Sequence, residues 1–265
     1  MTDAAREHFE KAIRQPYGAV VVCGPTGSGK TTTLYTALHL LNDPGHVVMT
    51  IEDPVEDQIR GINHIEISPK SGLTFARGLR TILRSDPDVL LVGEIRDEET
   101  AAIAMQAGMT GHLVLTTVHA HNAASAIERL KDMGVEPGLL ANAVNCIVAQ
   151  RLARRLCTDC RESYWPTDEE LESMGMLERK GEIYLHHSKG CGRCVGTGYR
   201  GRVALYEVMP VTSEIRLLVG APTDQIFDAA VREGMTTLRQ DGMRLCLEGV
   251  SSLDEIRRVT GDRLG

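Results

Sequence analysis

The chain has 265 residues, of which 42% are hydrophobic and 25% charged, and its net charge is −7. This length can bury a sizeable core and form more than one domain, and the acidic balance disfavours a general nucleic-acid-binding protein. No apolar run approaches the roughly 20 residues that span a bilayer, and the first residues lack the apolar region of a signal peptide. Seven cysteines in such a chain indicate a reducing compartment, so we predict a cytoplasmic protein whose paired cysteines bind metal.

Helical and strand patterns alternate through the first 133 residues. The predicted helices cover residues 3–14, 31–41, 75–84, 98–107 and 123–133, and the predicted strands cover residues 19–23, 46–51, 88–92 and 113–118. The strands are short and continuously apolar, which is typical of a parallel sheet covered by helices on both faces. Residues 1–150 are therefore predicted to form an α/β nucleotide-binding domain with its active groups at the carboxyl ends of the strands.

Between the first predicted strand and the next helix lies GPTGSGKT, residues 24–31, which fits the G-x-x-x-x-G-K-[ST] pattern of a phosphate-binding loop. Glycines let backbone N–H groups converge on phosphate oxygens, and the following helix adds its positive end. Lys30 is predicted to reach the β- and γ-phosphates of a nucleoside triphosphate, and the Thr31 hydroxyl is predicted to bind Mg²⁺. The predicted nucleotide-binding residues are Gly24, Pro25, Thr26, Gly27, Ser28, Gly29, Lys30, Thr31 and Thr32.

Hydrolysis also needs a carboxylate beyond a strand end, which organises Mg²⁺ and water. The run DVLLVGEIRDEE, residues 88–99, supplies Glu94 and places Gly93 where such runs usually carry aspartate. The Mg²⁺ contact is therefore expected to be water-mediated or to come from elsewhere. Glu52 follows another predicted strand and should face the same crevice. Glu52 and Glu94 are rival candidates for the general base, and the sequence does not rank them.

A histidine and a set of arginines are further candidates for contacts with phosphate. His119 ends the strand over residues 113–118 and is predicted to contact the γ-phosphate, whereas His112, at the opposite end, fits a structural role equally well. Arg77, Arg80 and Arg84 share one face of the helix over residues 75–84, and Arg80 and Arg84 are the site candidates among them. We predict that they act as phosphate clamps, within the subunit or across an interface, although a solvated helix face would carry the same residues.

Two CxxC pairs follow the predicted α/β domain, Cys157 with Cys160 and Cys191 with Cys194. Four thiolates at this spacing match a tetrahedral Zn²⁺ site rather than a Mg²⁺ or Ca²⁺ site. Residues 151–205 are therefore predicted to be a small metal-binding subdomain.

The rest of the chain is predicted to be helical. Residues 206–265 are expected to form a C-terminal helical subdomain, with helices over residues 212–219, 223–233, 236–248 and 252–260. The basic run RLARR, residues 151–155, is interpreted as a solvated helix face or a subunit contact rather than a nucleic-acid site.

Taken in this order, the motifs resemble those of the secretion-superfamily ATPases, and more narrowly the type II secretion and type IV pilus assembly motors (GspE- and PilB-like proteins). GPTGSGKTTTLY resembles their Walker A motif, TIEDPVE their Asp box, RSDPDVLLVGEIRDEETA their Walker B motif and TGHLVLTTVHAHNA their His box. QRLARRLC and the later CxxC pair resemble their metal-binding segment, which the pilus retraction motors of the same superfamily usually lack.

The resemblance covers residues 7–265 and implies a RecA-like P-loop NTPase core with a small zinc-binding subdomain, built on the four paired cysteines, and a C-terminal helical subdomain. It also implies ATP hydrolysis with Mg²⁺ in a homo-hexamer. The hexamer would drive pseudopilin or pilin assembly through an inner-membrane platform protein and other components of the apparatus. Such a motor would be cytoplasmic and peripheral to the inner membrane through its partners. The resemblance does not separate type II secretion from type IV pilus assembly.

Family members carry a further domain before this core, whereas about sixteen residues precede it here. We therefore expect an isolated module that hydrolyses ATP slowly and forms a weak hexamer or none. A DNA-translocating RecA-like ATPase is an alternative, but it would need a basic pore, which the net charge and the lack of interleaved aromatic and basic residues disfavour. A third possibility is a nucleotide-sensing regulator with weak catalysis. The intact Lys30, Thr31 and Glu94 disfavour it, because such a regulator would not need all three residues.

Overall fold

The structure is a computed structural model that describes residues 1–261, without the side chain of Pro69. Residues 262–265, the end of the predicted C-terminal subdomain, lie outside the described residues. The strands are β1 (Gly18–Cys23), β2 (Val48–Glu52), β3 (Asn63–Glu66), β4 (Val89–Val92), β5 (Leu113–Val118), β6 (Val144–Leu156), β7 (Arg161–Tyr164), β8 (Leu185–Ser188) and β9 (Tyr199–Pro210). The helices are α1 (Asp3–Ile13), α2 (Lys30–Leu41), α3 (Phe75–Ile82), α4 (Glu98–Met109), α5 (Ala123–Asp132), α6 (Pro137–Ala143), α7 (Asp168–Ser173), α8 (Ser213–Leu218), α9 (Thr223–Arg232), α10 (Leu238–Leu247) and α11 (Leu253–Thr260).

Seven strands form one sheet in the order β3-β2-β4-β5-β1-β6-β9, and β7 pairs with β8 in a separate antiparallel hairpin. The strands from β3 to β6 in this order pair in parallel. β1, β4 and β5 are buried along their whole length, as expected for central strands that helices cover. Helices α2, α4, α5 and α6 pack against β1, and α3 packs against β2. The predicted α/β fold is confirmed.

The parallel register aligns the carboxyl ends of the central strands. Cys23 of β1 lies opposite Val118 of β5, and Val92 of β4 lies opposite Thr116 of β5. The buried Thr116 hydroxyl donates a 2.8 Å hydrogen bond to the Val92 carbonyl, and Thr117 does the same to the carbonyl of Gly93. The segments that follow these strands therefore all begin at one edge of the sheet.

By packing, the chain divides into two compact units. One unit contains the sheet core, Thr2–Gln150, together with Glu207–Met235, and within it α9 packs against α5. The other contains Arg151–Tyr206 and the described residues from Thr236 onward, and within it α10 and α11 pack against each other and against β8. These units are defined by packing alone, so the predicted division into residues 1–150, 151–205 and 206–265 stays a prediction. None of the helices that the structure describes is both long and apolar enough to cross a bilayer.

The structure corrects the helical interpretation of RLARR, residues 151–155. This run lies in β6, a long strand that neighbours β9, and its backbone is extended because it hydrogen-bonds in the sheet. Ala153 is buried, whereas Arg154 is exposed and its guanidinium lies 4.1 Å from the centre of the Tyr199 ring. An isolated basic run gives no period-2 hydrophobic signal, so the strand was not predicted.

Glu255, on α11, is a buried carboxylate that accepts several hydrogen bonds. Its two oxygens accept from the backbone N–H of Arg154 at 2.8 Å and from the guanidinium groups of Arg154 and Arg258 at 2.7 Å. Burial alone would raise the pKa of Glu255, but the bonds from the two arginines outweigh burial and lower this pKa to about 2.

We expect Glu255→Gln to lower the free energy of unfolding at pH 7 by about 2 to 3 kcal/mol, at roughly 1.4 kcal/mol per pKa unit. The folded-state pKa lies below the ordinary 4.5, so this stabilisation is present above pH 4.5 and is lost as the pH falls toward 2. When the free energy of unfolding is measured with urea, the difference between wild type and Glu255→Gln should narrow over that pH range. Asp254→Asn, at the exposed neighbouring position, should keep the wild-type pH dependence. A difference that is constant with pH would contradict a role for the Glu255 charge.

Candidate functional site

The phosphate-loop sequence connects β1 to α2 at the carboxyl edge of the sheet. Gly27 and Gly29 have φ angles of 76° and 89°, in the left-handed region that glycine adopts without strain, so the loop curls back on itself. The Lys30 ammonium donates hydrogen bonds to the carbonyl oxygens of Gly24 and Pro25 at 3.0 and 3.1 Å. The lysine is thus held at the loop by two bonds to its backbone.

Ser28 gives a direct test of whether the loop fits a phosphate group. Ser28 is only 3% exposed, and its hydroxyl oxygen has no hydrogen-bond partner among the described residues. A buried hydroxyl without a partner costs about 1–3 kcal/mol, so a ligand rich in acceptor oxygens would be favoured here. The loop conformation and this hydroxyl both fit the predicted phosphate site.

Three of the predicted site residues, Thr31, Glu52 and Glu94, line one open cavity together with Gly93. They come from the start of α2 and from the ends of β2 and β4, which are far apart in sequence. A hydroxyl and two carboxylates are hard oxygen donors of the kind that Mg²⁺ prefers. The donor set therefore fits the Mg²⁺ site that the sequence predicts at Thr31.

Glu52 is held rigidly at the end of β2. One of its oxygens accepts a hydrogen bond from the Tyr35 hydroxyl at 2.6 Å, and the other accepts from Thr50 at 2.5 Å and lies 3.1 Å from Nδ1 of His64. His64 Nε2 accepts the backbone N–H of Ile59, so Nδ1 carries the proton and donates. Burial and the bond to the Glu52 carboxylate raise the pKa of Tyr35 to about 12. The sequence motifs did not single out Tyr35, which also lines the cavity, or His64, which acts on the site through Glu52.

Gly93 stands where a Walker B aspartate is usual, and its surroundings explain the glycine. A Cβ at residue 93 would lie 3.3 Å from Cα of Glu52 and 3.4 Å from the carbonyl oxygen of Ile51. The 3.3 Å contact is tight, so a side chain at residue 93 would need the end of β2 to shift by a few tenths of an ångström. Glycine fits here without a shift, and Glu52 is the carboxylate that lies beside it.

Glu94 is paired on both of its oxygens. One oxygen lies 2.7 Å from Nε2 of His119, and the other accepts a hydrogen bond from Nε of Arg96 at 2.8 Å and lies 2.7 Å from Nη2 of the same guanidinium. The Glu94 hydrogen bond raises the pKa of Arg96. Arg96 also approaches Asp53 to 3.9 Å. The structure thus brings His119 to Glu94, as a site at this edge requires, and it adds Arg96, which the sequence motifs did not single out.

The predicted clamp arginines and the second histidine lie elsewhere. Arg80 forms an ion pair with Glu99 at 2.5 Å, and Arg84 donates to the backbone carbonyl of Arg80. Neither arginine lines the cavity that contains Thr31 and Glu94, so a role as clamps stays a prediction. His112 hydrogen-bonds to the carbonyl of Ala107 at the amino-terminal edge of the sheet, which fits its structural interpretation.

The four paired cysteines cluster within the unit that contains β7 and β8, and their sulfur atoms all lie within 4.8 Å of one another. The Cys157–Cys191, Cys160–Cys194 and Cys191–Cys194 sulfur distances are 3.9, 3.7 and 3.7 Å. Zn–S bonds of about 2.3 Å in a tetrahedron place sulfur atoms about 3.8 Å apart. Backbone N–H groups of Cys191 and Gly198 also donate to Sγ of Cys194 at 3.1 Å, which stabilises a thiolate. The cluster fits Zn²⁺.

The fold and the loop place the chain among the P-loop nucleoside triphosphatases of RecA-like architecture. A family model described as type II/IV secretion system protein matches residues 1–258, and the chain belongs to this family. It is 45% identical over 261 residues to the type II secretion system protein E of Pseudomonas aeruginosa, covering 98% of this chain and 52% of that protein. It is 46% identical over 253 residues to the type IV pilus assembly ATPase PilB of Thermus thermophilus, covering 94% of this chain and 28% of that protein. The chain thus spans about half the length of the Pseudomonas protein and 28% of the Thermus protein.

Two solved structures share the fold. The pilus retraction motor PilT with bound ADP superposes with a TM-score of 0.73 at 25% identity, covering all of this chain and 65% of that one. The ATPase DotB of Legionella pneumophila gives a TM-score of 0.70 at 23% identity, covering 95% of this chain and 62% of that one. The resemblance predicted from the motifs is therefore confirmed at the level of family and fold.

We expect the purified chain to carry one zinc ion per molecule, because the four sulfur atoms already lie at tetrahedral distances. Cys157→Ser should lose the zinc and lower the thermal stability, since a three-thiolate site binds more weakly. Cys146→Ala removes a buried cysteine of β6 outside the cluster and should keep the zinc. Metal content by mass spectrometry and thermal unfolding test this. Full stability without stoichiometric metal would contradict the zinc assignment.

Proposed function

We propose that this chain is the ATP-hydrolysing part of a motor protein that powers pseudopilus or pilus assembly, in type II secretion or type IV pilus biogenesis. The observation that carries the proposal is the cavity that joins Thr31, at the end of the phosphate loop, to Glu52 and Glu94. The names of the relatives, a type II secretion protein and a pilus assembly ATPase, support the choice of apparatus. The bound ADP of the PilT structure supports an adenine nucleotide.

The phosphate loop and the residues at the strand ends have distinct roles in the proposed reaction. The loop amides and Lys30 hold the phosphates, and Thr31 contributes a ligand to Mg²⁺, which neutralises charge on the phosphates when bound. Glu94 accepts a proton from the attacking water as the water oxygen bonds to the γ-phosphorus. The bond from phosphorus to the bridging oxygen breaks, and ADP and inorganic phosphate are released. His119, next to Glu94, is placed to donate a hydrogen bond to the γ-phosphate.

Glu52 takes a different role from Glu94 in this proposal. Its carboxylate is buried and held by Tyr35, Thr50 and His64, so it is poorly able to rotate toward a water and accept a proton. It lies against Gly93, where the aspartate that organises Mg²⁺ is usual. We therefore assign Glu94 as the general base and Glu52 as the carboxylate that orients the Mg²⁺ ligands, directly or through water.

The assembly and location of the protein also belong to this proposal. A homo-hexamer, contacts with an inner-membrane platform protein and a cytoplasmic location follow from the family resemblance. Arg80, on α3, and Arg84, just after it, are both exposed and would then act at a neighbour's nucleotide. The cysteine cluster supports an assembly or secretion motor over a retraction motor. The names of the relatives do not favour a DNA-translocating ATPase.

Lys30→Ala and Glu94→Gln are expected to separate nucleotide binding from hydrolysis. Lys30→Ala should weaken ATP binding at least about tenfold, because it removes a charge from the phosphates. Glu94→Gln should keep ATP binding and lower the hydrolysis rate by about a hundredfold or more. Rates are measured as phosphate released per chain at several protein concentrations, since a ring assembled from single chains should be more active at high concentration. Glu7→Gln, on the exposed side of α1, serves as the control. Unchanged rates in both site variants would refute the site.

The two carboxylates should respond differently to Mg²⁺. Glu52→Gln is expected to raise the Mg²⁺ concentration for half-maximal hydrolysis by about tenfold, the size of effect seen for residues that orient metal ligands. Glu94→Gln should lower the rate at every Mg²⁺ concentration without this shift. A Mg²⁺ titration of both variants and of Glu7→Gln measures the difference, and the opposite pattern would exchange the two roles.

A further inference from the structure

A second cavity, of about 310 Å³, shares two residues with the nucleotide cavity. Glu94 and Arg96 line both cavities, and the second is completed by Ile95, His119, Arg129 and Met133. The Glu94 side chain is 16% exposed, so this partly covered carboxylate lies where the two cavities meet. A small product formed beside Glu94 would therefore have a second space adjoining it.

The second cavity carries more basic than acidic side chains, because two arginines and one glutamate line it. Arg96 and His119 each contact a different oxygen of Glu94, at 2.7 Å. Arg129, on α5, is exposed, and its guanidinium has no hydrogen-bond or ion-pair partner among the described residues. Two arginines thus line the cavity with a single carboxylate, which leaves an excess of positive charge. Ile95 and Met133 are buried, and their apolar side chains strengthen electrostatic attraction inside the cavity.

These features fit a small tetrahedral anion. A free guanidinium presents several N–H donors in a planar fork that matches two oxygens of a phosphate. His119 can add a further donor through the nitrogen that now contacts Glu94. Arg96 stays bound to the opposite oxygen of Glu94. Its positive charge offsets part of the negative charge of the carboxylate, which therefore repels the anion less.

We propose that the second cavity binds inorganic phosphate, with Arg129 as its main contact, and receives the phosphate that hydrolysis releases beside Glu94. The proposal rests on the proposed function, because ATP hydrolysis is the source of this phosphate. It assigns a place to Arg129, a residue that neither the motifs nor the nucleotide cavity involve. The site is a subsite for the product, separate from the phosphate loop that holds the nucleotide.

The test measures binding of inorganic phosphate to the chain saturated with Mg²⁺ and ADP, so that the phosphate loop is filled. Phosphorus NMR line widths or calorimetry give the dissociation constant. Arg129→Gln is expected to raise this constant at least about tenfold, because a charge-assisted contact is lost. Lys131→Gln removes the same charge from the same helix, but Lys131 does not line the cavity, so it should bind phosphate like the wild type.

Two further measurements make the result decisive. Arg129→Lys keeps the charge but loses the planar fork of N–H donors, so its dissociation constant for phosphate should lie between those of the wild type and Arg129→Gln. Thermal unfolding of each variant checks that it is folded. Sulfate should compete with phosphate in the wild type, whereas chloride at equal ionic strength should not. Equal phosphate binding by wild type and folded Arg129→Gln, or no saturable binding by the wild type, would overturn the proposal.

The design also separates this site from the proposed function. If the chain fails to bind ADP or to hydrolyse ATP, the proposed function fails, and phosphate is then titrated into Lys30→Ala, whose phosphate loop is impaired. Phosphate binding there that still depends on Arg129 would retain the anion site without the ATPase. If hydrolysis is present, inhibition of the rate by added phosphate should be weaker in Arg129→Gln than in Lys131→Gln, and equal inhibition would contradict the product subsite.

Discussion

The site depends on the parallel hydrogen-bonded ladder that links β2, β4, β5 and β1. Because the strands are parallel and their ends are in register, the residues after Cys23, Val92 and Val118 leave the sheet at one edge. Hydrogen bonds from the hydroxyls of Thr116 and Thr117 hold the end of β4 against β5. A slip of one residue in any strand would turn its side chains to the opposite face, and the phosphate loop, the carboxylates and His119 would no longer meet.

The close approach of β2 and β4 explains an apparent defect in the Walker B sequence. With glycine at residue 93 the two backbones come within contact distance, and the buried Glu52 occupies the place next to it. An aspartate at residue 93 would need the two strand ends to separate by a few tenths of an ångström. The residue that would have to shift is Glu52, which Tyr35 and His64 hold in place, so the glycine and the fixed glutamate are parts of the same close contact.

Much of this could be predicted from the sequence because the signals are local. Continuous apolar runs predict the central strands, and the phosphate loop and the CxxC pairs are each a few residues long, so β1, Lys30 and Cys157 were all identified. The paired residues of the site could not be predicted in the same way. His64 lies on β3, a short and mostly exposed strand, and it contacts Glu52 only because β2 and β3 pair.

The contact between Arg96 and Glu94 could not be predicted from the sequence either, although the two residues are close together in the chain. Arg96 lies two residues after Glu94, and both residues lie beyond the end of β4, so strand periodicity does not fix which way the Arg96 guanidinium points. The second half of β6 was missed for a related reason: RLARR is extended by its neighbour β9, whereas its composition resembles that of a solvated helix. Contacts between distant segments decide these cases, and no short sequence window contains them.

The pairing of Glu94 indicates how a base that is engaged on both sides could still act. Arg96 holds one oxygen with a hydrogen bond from Nε and an ion-pair contact from Nη2, whereas His119 holds the other with a single contact from a half-exposed ring. Breaking the contact with His119 costs less than breaking the pair with Arg96, because a permanently charged guanidinium with two nitrogens on the carboxylate makes the stronger pair. If Glu94 is the base, the oxygen that now faces His119 is therefore the one that takes the proton, while Arg96 keeps the carboxylate oriented. The movement that frees this oxygen also frees the histidine, whose nitrogen then becomes a donor available to phosphate.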